Sequence, residues 1–321
     1  MSARRLTLLL AVAFATATVS PAEAAFPGRP GPIVYSKVKL NEGGSTGGLR
    51  IHGPRLKQKA KPLTNDVDDE SPSFSANGRL VVFAGDRDPG NSTGTHIYVV
   101  KVDGTGLRQL TAGSSFDSAP SFAPNGQSVV FARRGAGRSH IYSVKVDGTG
   151  LRELTKGNGN DYEPVYTPNG KRIIFVSDRD HDARTDRRDV FAMAPSGADM
   201  RVLIDGPYNE EEPDTSADGK RIAFVSNRQP GINIFVANGA GKVLSQLTHN
   251  RRNCTSGSCN RAPAWSPDGK HIAFLTIGRY SRDLAVMRAD GRGEREFDDA
   301  GTETEGFGSS IGSPAWGSAL P

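Results

Sequence analysis

The densest run of charge in the chain, DRDHDARTDRRD from Asp178 to Asp189, sets carboxylates at relative positions 1, 3, 5, 9 and 12. Hard oxygens at that spacing can surround a calcium ion. Ala183 stands where such loops turn on glycine, however, and Arg179, Arg184, Arg187 and Arg188 oppose a cation. Two readings remain, a calcium loop and a solvated hairpin tip, and the arginines favour the tip. The expectation is that no cofactor is required, with calcium as the alternative.

Two other sets of charge recur at regular spacing. Asp69, Asp117, Asp161 and Glu210, with Asn260 completing the series, each stand three residues before a proline. Arg87, Arg134, Arg179 and Arg228 each follow an apolar run, and Arg279 comes one place later in its own run. In a structural role the carboxylates cap loop N–H groups and pair with neighbouring arginines, worth about 0–1 kcal/mol per exposed pair. In a binding role the two sets form a rim of mixed charge for a protein partner, with arginine as planar donor. Glu210-Glu211-Glu212 is read as a solvated acid run or a patch for a basic partner. Of the six histidines, His96 and His140 occupy equivalent places and are read as structural, and the others are scattered. No catalytic set and no metal site is therefore expected.

Cys254 and Cys259 stand five residues apart. A zinc site needs more ligands than the nearby His249 supplies, so a local disulfide is the preferred reading over a metal pair. Its short loop gives about 2 kcal/mol by chain entropy.

The elements that must hold these residues repeat. PSFSANGR at Pro72, PSFAPNGQ at Pro120, PVYTPNGK at Pro164, PDTSADGK at Pro213 and PAWSPDGK at Pro263 are copies of one another, and PAWG at Pro314 is a sixth that stops short. The prolines (72, 120, 164, 213, 263, 314) are 48, 44, 49, 50 and 51 residues apart. A period close to the roughly 40–45 residues of propeller repeats means one supersecondary unit per copy. Within a copy, a short strand ends at a turn with glycine at its tip. A run such as LVVFA at Leu80 follows, then one such as HIYVV at His96, then a short strand ending in Leu-Thr. β-Branched and aromatic residues there fit half-buried strands. Ile33 to Ser36 matches a second strand without a first, and Ser313 to Trp316 matches a first strand without a second. Joined, they complete one blade. The expectation is an all-β, six-bladed propeller of four-stranded antiparallel blades, closed by N-terminal strands plus the C-terminal strand.

Residues 1–24 read as a cleaved signal peptide: basic Arg4 and Arg5, an apolar run from Leu6 to Val19, and Ala22-Glu23-Ala24 as the exit. Residues 25–31 are then a short linker and 32–321 a single propeller. Net charge is +5, about +4 after cleavage, too mild and dispersed for a nucleic-acid footprint. No later stretch approaches the roughly 20 apolar residues of a membrane span. With 38 Gly and 20 Pro, the composition suits many short strands and tight turns.

The signature PxWSPDGK, xIAFxS, xIYVxxxDG, xLT resembles the TolB-type six-bladed β-propeller family, with its WD40-like Pro-Asp repeats, from about Gly31 to Trp316. The export signal, the complete ring and the lack of a catalytic set lead to the expectation of a periplasmic or secreted, monomeric, noncatalytic module that binds a protein partner in the cell envelope or outside the cell; the resemblance itself speaks to fold more than to function. TolB proper carries an α/β domain ahead of its propeller; here about seven residues separate Ala24 from the first strand, a departure that argues against a full TolB role. The alternative is a propeller enzyme, a metal-dependent lyase or lactonase with its site at the central channel.

Overall fold

Glycine-tipped turns and β-branched runs leave the chain one way to hide its apolar faces, as sheets stacked side by side. The computed structural model describes residues 29–41, 44–53, 59–87, 94–135, 137–180, 187–229, 231–250, 259–278, 282–297 and 309–319. The expected signal segment, Cys254, Arg279 and residues 181–186 of the acidic loop lie outside them, so the disulfide and the calcium loop do too.

All elements of the described residues are strands. Glu70–Phe74, Leu80–Gly85, His96–Lys101 and Arg108–Gln109 form one antiparallel blade, hydrogen-bonded in chain order. Four further four-stranded blades, on Pro120, Pro164, Pro213 and Pro263, repeat that order. The sixth is shared between the termini. Pro30–Asn41 pairs with Gly44–His52 on one edge and with Ser309–Ile311 and Ala315–Ser318 on the other, and Lys61–Pro62 is outermost. Pro30 pairs with Ser318, so the first strand begins inside the segment expected as linker. Trp316 lies opposite Ile33, which joins the orphan first strand to the orphan second strand as expected. Gly317 is where the closing strand crosses the next blade: a Cβ there would stand 2.8 Å from the buried Phe74 ring.

The core lies between blades. Val82, Ala84, Ile97, Val99 and Leu110 of one blade pack with Phe122, Val129, Phe131 and Val144 of the next. Val34, Leu49 and Leu63 of the shared blade pack on Phe74, Val81 and Phe83, and Ile33, Tyr35 and Trp316 pack on Ala273, Leu275 and Leu284. Both faces of the shared blade are thus covered, and ring closure leaves no first or last blade face to solvent.

The recurrent Pro-x-aromatic-x-x-Asp/Asn-Gly string is explained by its turn. In PAWSPDGK, Gly269 N–H donates to the Ser266 carbonyl at 2.8 Å. Ser266 Oγ–H donates to Asp268 Oδ1 at 2.6 Å, and His271 N–H donates to Ser266 Oγ at 2.9 Å. Gly269 takes φ 64°, the left-handed region glycine enters without a Cβ clash. The Leu-Thr ending has an equally local cause. Thr111, Thr155 and Thr248 Oγ1 each accept the third-strand N–H of Ile97, Ile141 and Ile234 at 2.9 Å.

Candidate functional site

The two repeating charge sets meet at the blade junctions. Asp117 has no exposed side-chain surface. It accepts Arg133 Nε and Nη2 at 2.6 and 2.7 Å and, from the preceding blade, Thr111 Oγ1–H at 2.5 Å. Asp69 takes Arg87, Asp161 takes Arg179 at 2.6 Å, and Glu210 takes Arg228 at 2.6 Å, all four acids being fully buried. Each guanidinium also lies over aromatic rings of its own second and third strands: Arg87 on Phe83 and Tyr98, Arg179 on Phe175 and Phe191, Arg228 on Phe224 and Phe235. Bidentate geometry and ring stacking are what arginine offers over lysine. These residues cement blades.

Among the expected arginines, Arg134 is placed differently. Arg133, not Arg134, takes the position equivalent to Arg87, Arg179 and Arg228, stacking on Phe131 and Tyr142. The reason is strand periodicity. Arg133 is two residues past Phe131 within Ser128–Arg134 and shares its face, whereas Arg134 points to the other. In the sibling blades the arginine comes four residues past the phenylalanine, after the strand has ended. Arg134 is exposed and lies 5.2 Å over the half-exposed Phe116 ring. A second surface pair of the same kind has Arg188 5.1 Å over Tyr162.

His96 begins its third strand and His140 is the second residue of its own, in the equivalent places expected. His140 Nδ1 lies 3.6 Å from Asp161 Oδ2. At the next junction Asp189 takes the histidine's place beside Glu210, and Glu210 Oε2 is buried without a hydrogen-bond partner. Burial, and then the charge of Asp189, push Glu210 up to about 7 against the pull of Arg228.

The inner strands of all six blades line one axial cavity of about 350 Å³. The prolines of the repeat and Phe74, Val165, Trp265 and Trp316 make most of its wall apolar. Every inner strand with a complete second strand carries a bulge at the residue before its proline. Ser71 and Pro72 together stand opposite Phe83, and the same shift recurs at Ala119, Glu163, Glu212 and Ala262. The bulged residue has φ 50°, 48°, 51°, 53° and 52° in the five blades. Proline follows because its ring disfavours right-handed helical backbone in the residue before it and has no N–H to leave unpaired inside the bulge.

Two of the bulged residues are glutamates, and both reach around the wall. Glu163 Oε2 accepts the Glu212 N–H at 2.7 Å, and Glu212 Oε2 accepts the Ala262 N–H at 2.6 Å. Arg261 donates to Glu212 Oε1 at 2.9 Å. Asp214 Oδ2 accepts the Trp265 N–H at 2.7 Å. Burial in the channel wall, and then the neighbouring Glu212, raise Glu163 to about 8; burial raises Asp214 to about 7. Near neutral pH Glu212 is thus compensated by arginine, Glu163 by its proton, and Asp214 by a proton about half of the time.

The acid run Glu210-Glu211-Glu212 therefore divides. Glu210 is buried at a junction, Glu212 lies on the channel wall, and Glu211 pairs with Arg188 at 2.7 Å. The one signal for the channel acids in the sequence is that two copies alone, at Glu163 and Glu212, place a long acid just before the blade proline. Gly-x-Ser-x-Gly strings, the spacing of a nucleophile elbow and contrary to the expectation of none, occur at Gly43 to Gly47, Gly90 to Gly94 and Gly308 to Gly312. Ser45 lies in a strand opposite Leu40, not on the strand-to-helix turn that a nucleophile elbow requires. Among the described residues no three His, Cys, Asp or Glu side chains gather to hold a metal ion, and no helix is long and apolar enough to cross a membrane.

The sequence matches the TolB beta propeller domain over residues 91–320. Comparison with curated proteins finds no match. Among solved structures, TolB from Acinetobacter baumannii superposes with a TM-score of 0.72 at 21% identity, covering 90% of this chain and 67% of that one. A protein assigned as TolB from Agrobacterium tumefaciens gives 0.62 at 19% identity, covering 84% and 89%. A chain of a nidogen/laminin complex gives 0.62 at 11% identity, covering 91% of this chain and 100% of that one. At such identities the likeness is one of fold.

Proposed function

The chain belongs to the TolB beta propeller domain family, and from that premise we propose that it is an exported, noncatalytic propeller. In this reading it docks a protein partner at the entrance of its axial channel, in the cell envelope or outside the cell. The observation that carries the reading is the cavity of about 350 Å³ shared by all six inner strands. It lies at the small end of ligand pockets, roughly 300–1,000 Å³, and suits an inserted peptide segment better than a large substrate. The exposed Arg134–Phe116 pair and the half-buried Arg188–Tyr162 pair support it, since arginine and tyrosine are the residue types enriched at interface hot spots. Tyr162 belongs to both the Arg188 pair and the channel wall, so surface and channel are continuous. The nidogen/laminin likeness supports the class of role, because that propeller-like chain comes from a protein–protein complex. The signal-like residues 1–24 support export.

The test is capture of partners from an exported-protein extract by the mature chain. Ser121→Arg, which obstructs the channel, and Arg134→Glu should each lose the partner, while Leu107→Glu, far from the axis beside an outer strand, should retain it. If all three recover what the wild type recovers, docking is not at the channel. Arg179→Glu and Arg228→Glu are unsuitable, because each sets an acid against buried Asp161 or Glu210. Amino-terminal sequencing of the exported chain should begin at Ala25; an intact Met1 terminus would end the export reading.

A further inference from the structure

The channel wall has two unlike arcs. On the Pro164 to Pro263 side, two bulged N–H groups are each satisfied by a glutamate from the preceding blade, Glu212 N–H by Glu163 and Ala262 N–H by Glu212. On the other side the bulge has the same register shift and the same φ at Ser71, Ala119 and Glu163. There the preceding blades offer Ser313, Ser71 and Ala119, side chains too short to cross. Among the described residues no side chain bonds to these three N–H groups. Three successive blades therefore present, in the same setting, the donor that a carboxylate occupies in the next two.

Building on the docking reading above, we propose that this arc is a binding site for the glutamate side chain of an extended peptide segment inserted in the channel. The chain supplies its own precedent: Glu163 and Glu212 are glutamate side chains borne on the bulges of inner strands, and they meet this same N–H at 2.7 and 2.6 Å. Ser73, Ser118 and Ser121 line the cavity on this arc and add hydroxyl donors. Backbone N–H groups to a carboxylate make charge-assisted bonds, roughly twice as strong as neutral ones, and the apolar wall keeps competing water few. Little uncompensated negative charge opposes entry: Arg261 pairs with Glu212, Glu163 at about 8 keeps its proton at neutral pH, and Asp214 at about 7 is about half protonated there.

The experiment is an amide-resolved NMR titration of the mature protein with three synthetic probes. They are acetyl-Gly-Glu-Gly-amide, acetyl-Gly-Gln-Gly-amide, and acetyl-Gly-Gly-Gly with a free C-terminus. The glutamate probe should shift the amides of Ser71, Ala119 and Glu163. The other two should need about tenfold more peptide for the same shift, as expected when the charge-assisted bond is lost or misplaced. Ser71→Glu with Ala119→Glu should abolish the shifts at residues 119 and 163, because the new side chains copy Glu163 and cap those two N–H groups internally, while the amide of residue 71, left uncapped by Ser313, still responds. Glutamate is already accommodated at this φ in two blades, and the dispersion of the remaining amides checks that the variant folds. Equal response to the glutamate and glutamine probes, response to the C-terminal probe alone, or unchanged shifts at residues 119 and 163 in the double variant would each overturn the assignment. The probes need no partner, so this failure is separate from failure of the docking reading. A partner still lost by Ser121→Arg, with no discrimination between probes, would leave docking standing and the glutamate site refuted.

Discussion

Replacing Glu163 by Gln tests whether the channel wall is as dry as its geometry implies. The amide retains an oxygen for the Glu212 N–H, now accepted at 2.7 Å by Glu163 Oε2, and removes the charge. Unfolded, a glutamate titrates near 4.5; here burial and Glu212 hold it at about 8. Between those values the folded chain keeps a proton that the unfolded chain has released. Stability therefore falls as pH rises through that window, and is unaffected by this group below it. At about 1.4 kcal/mol per pH unit, the ceiling is about 5 kcal/mol above pH 8. Even half of that, about 2 kcal/mol, shifts the Tm of a domain this size by on the order of 5 °C. Thermal melts of wild type and Glu163→Gln from pH 5 to 9 should nearly coincide at the acid end. The variant should become the more stable protein at the alkaline end. Asp214 and Glu210, both raised to about 7, move the two proteins alike, so the difference isolates Glu163. A gap that does not change with pH would mean that this carboxyl ionises as a solvated one and that burial does not dominate the channel.

Arg133→Ala should cost about 3–5 kcal/mol, because it strands the fully buried Asp117. Arg134→Ala should stay within about 0.5 kcal/mol, as for exposed residues generally; urea denaturation of the two variants distinguishes them, and the reverse ranking would refute the junction assignment. Gly317→Val should destabilise by about 1–3 kcal/mol through overpacking against Phe74, and a wild-type melting curve would mean that the closing strand does not seat there. Free-thiol assay of the denatured, unreduced mature protein should detect no thiol if Cys254 and Cys259 are bridged, and reduction should lower stability by about 2 kcal/mol; two titratable thiols would exclude the bridge.

Much of this protein is legible from local chemistry. The repeat of proline and Asp/Asn-Gly dictates the turn at each blade's inner hairpin, because the Asx side chain and a positive-φ glycine are adjacent and, in four of the five copies, a Ser or Thr hydroxyl joins them; Ala123 replaces it in the fifth, where Gly126 N–H still donates to the Ala123 carbonyl. Alternating apolar runs dictate strands, and their even spacing dictates blades. The matching half-blades at Ile33 and Trp316 even specify how the ring closes. What periodicity could not distinguish was the fate of equal charges. Glu210 and Glu211 stand side by side in one acid run, yet one is walled in at a junction with Arg228 and the other pairs with the half-exposed Arg188.

Arg133 and Arg134 differ by one residue, and only the face of the strand on which Phe131 lies decides which meets Asp117. Most of all, the channel is a property of the closed ring. Residues 49 and 50 positions apart, such as Glu163 with Glu212 and Glu212 with Ala262, become neighbours only when successive blades are brought around one axis. The sequence by itself determined the blade, because turns and strands are made by residues close in the chain. The tertiary structure alone decided where carboxylates face a buried N–H and where an N–H faces none, because that pairing is made between blades.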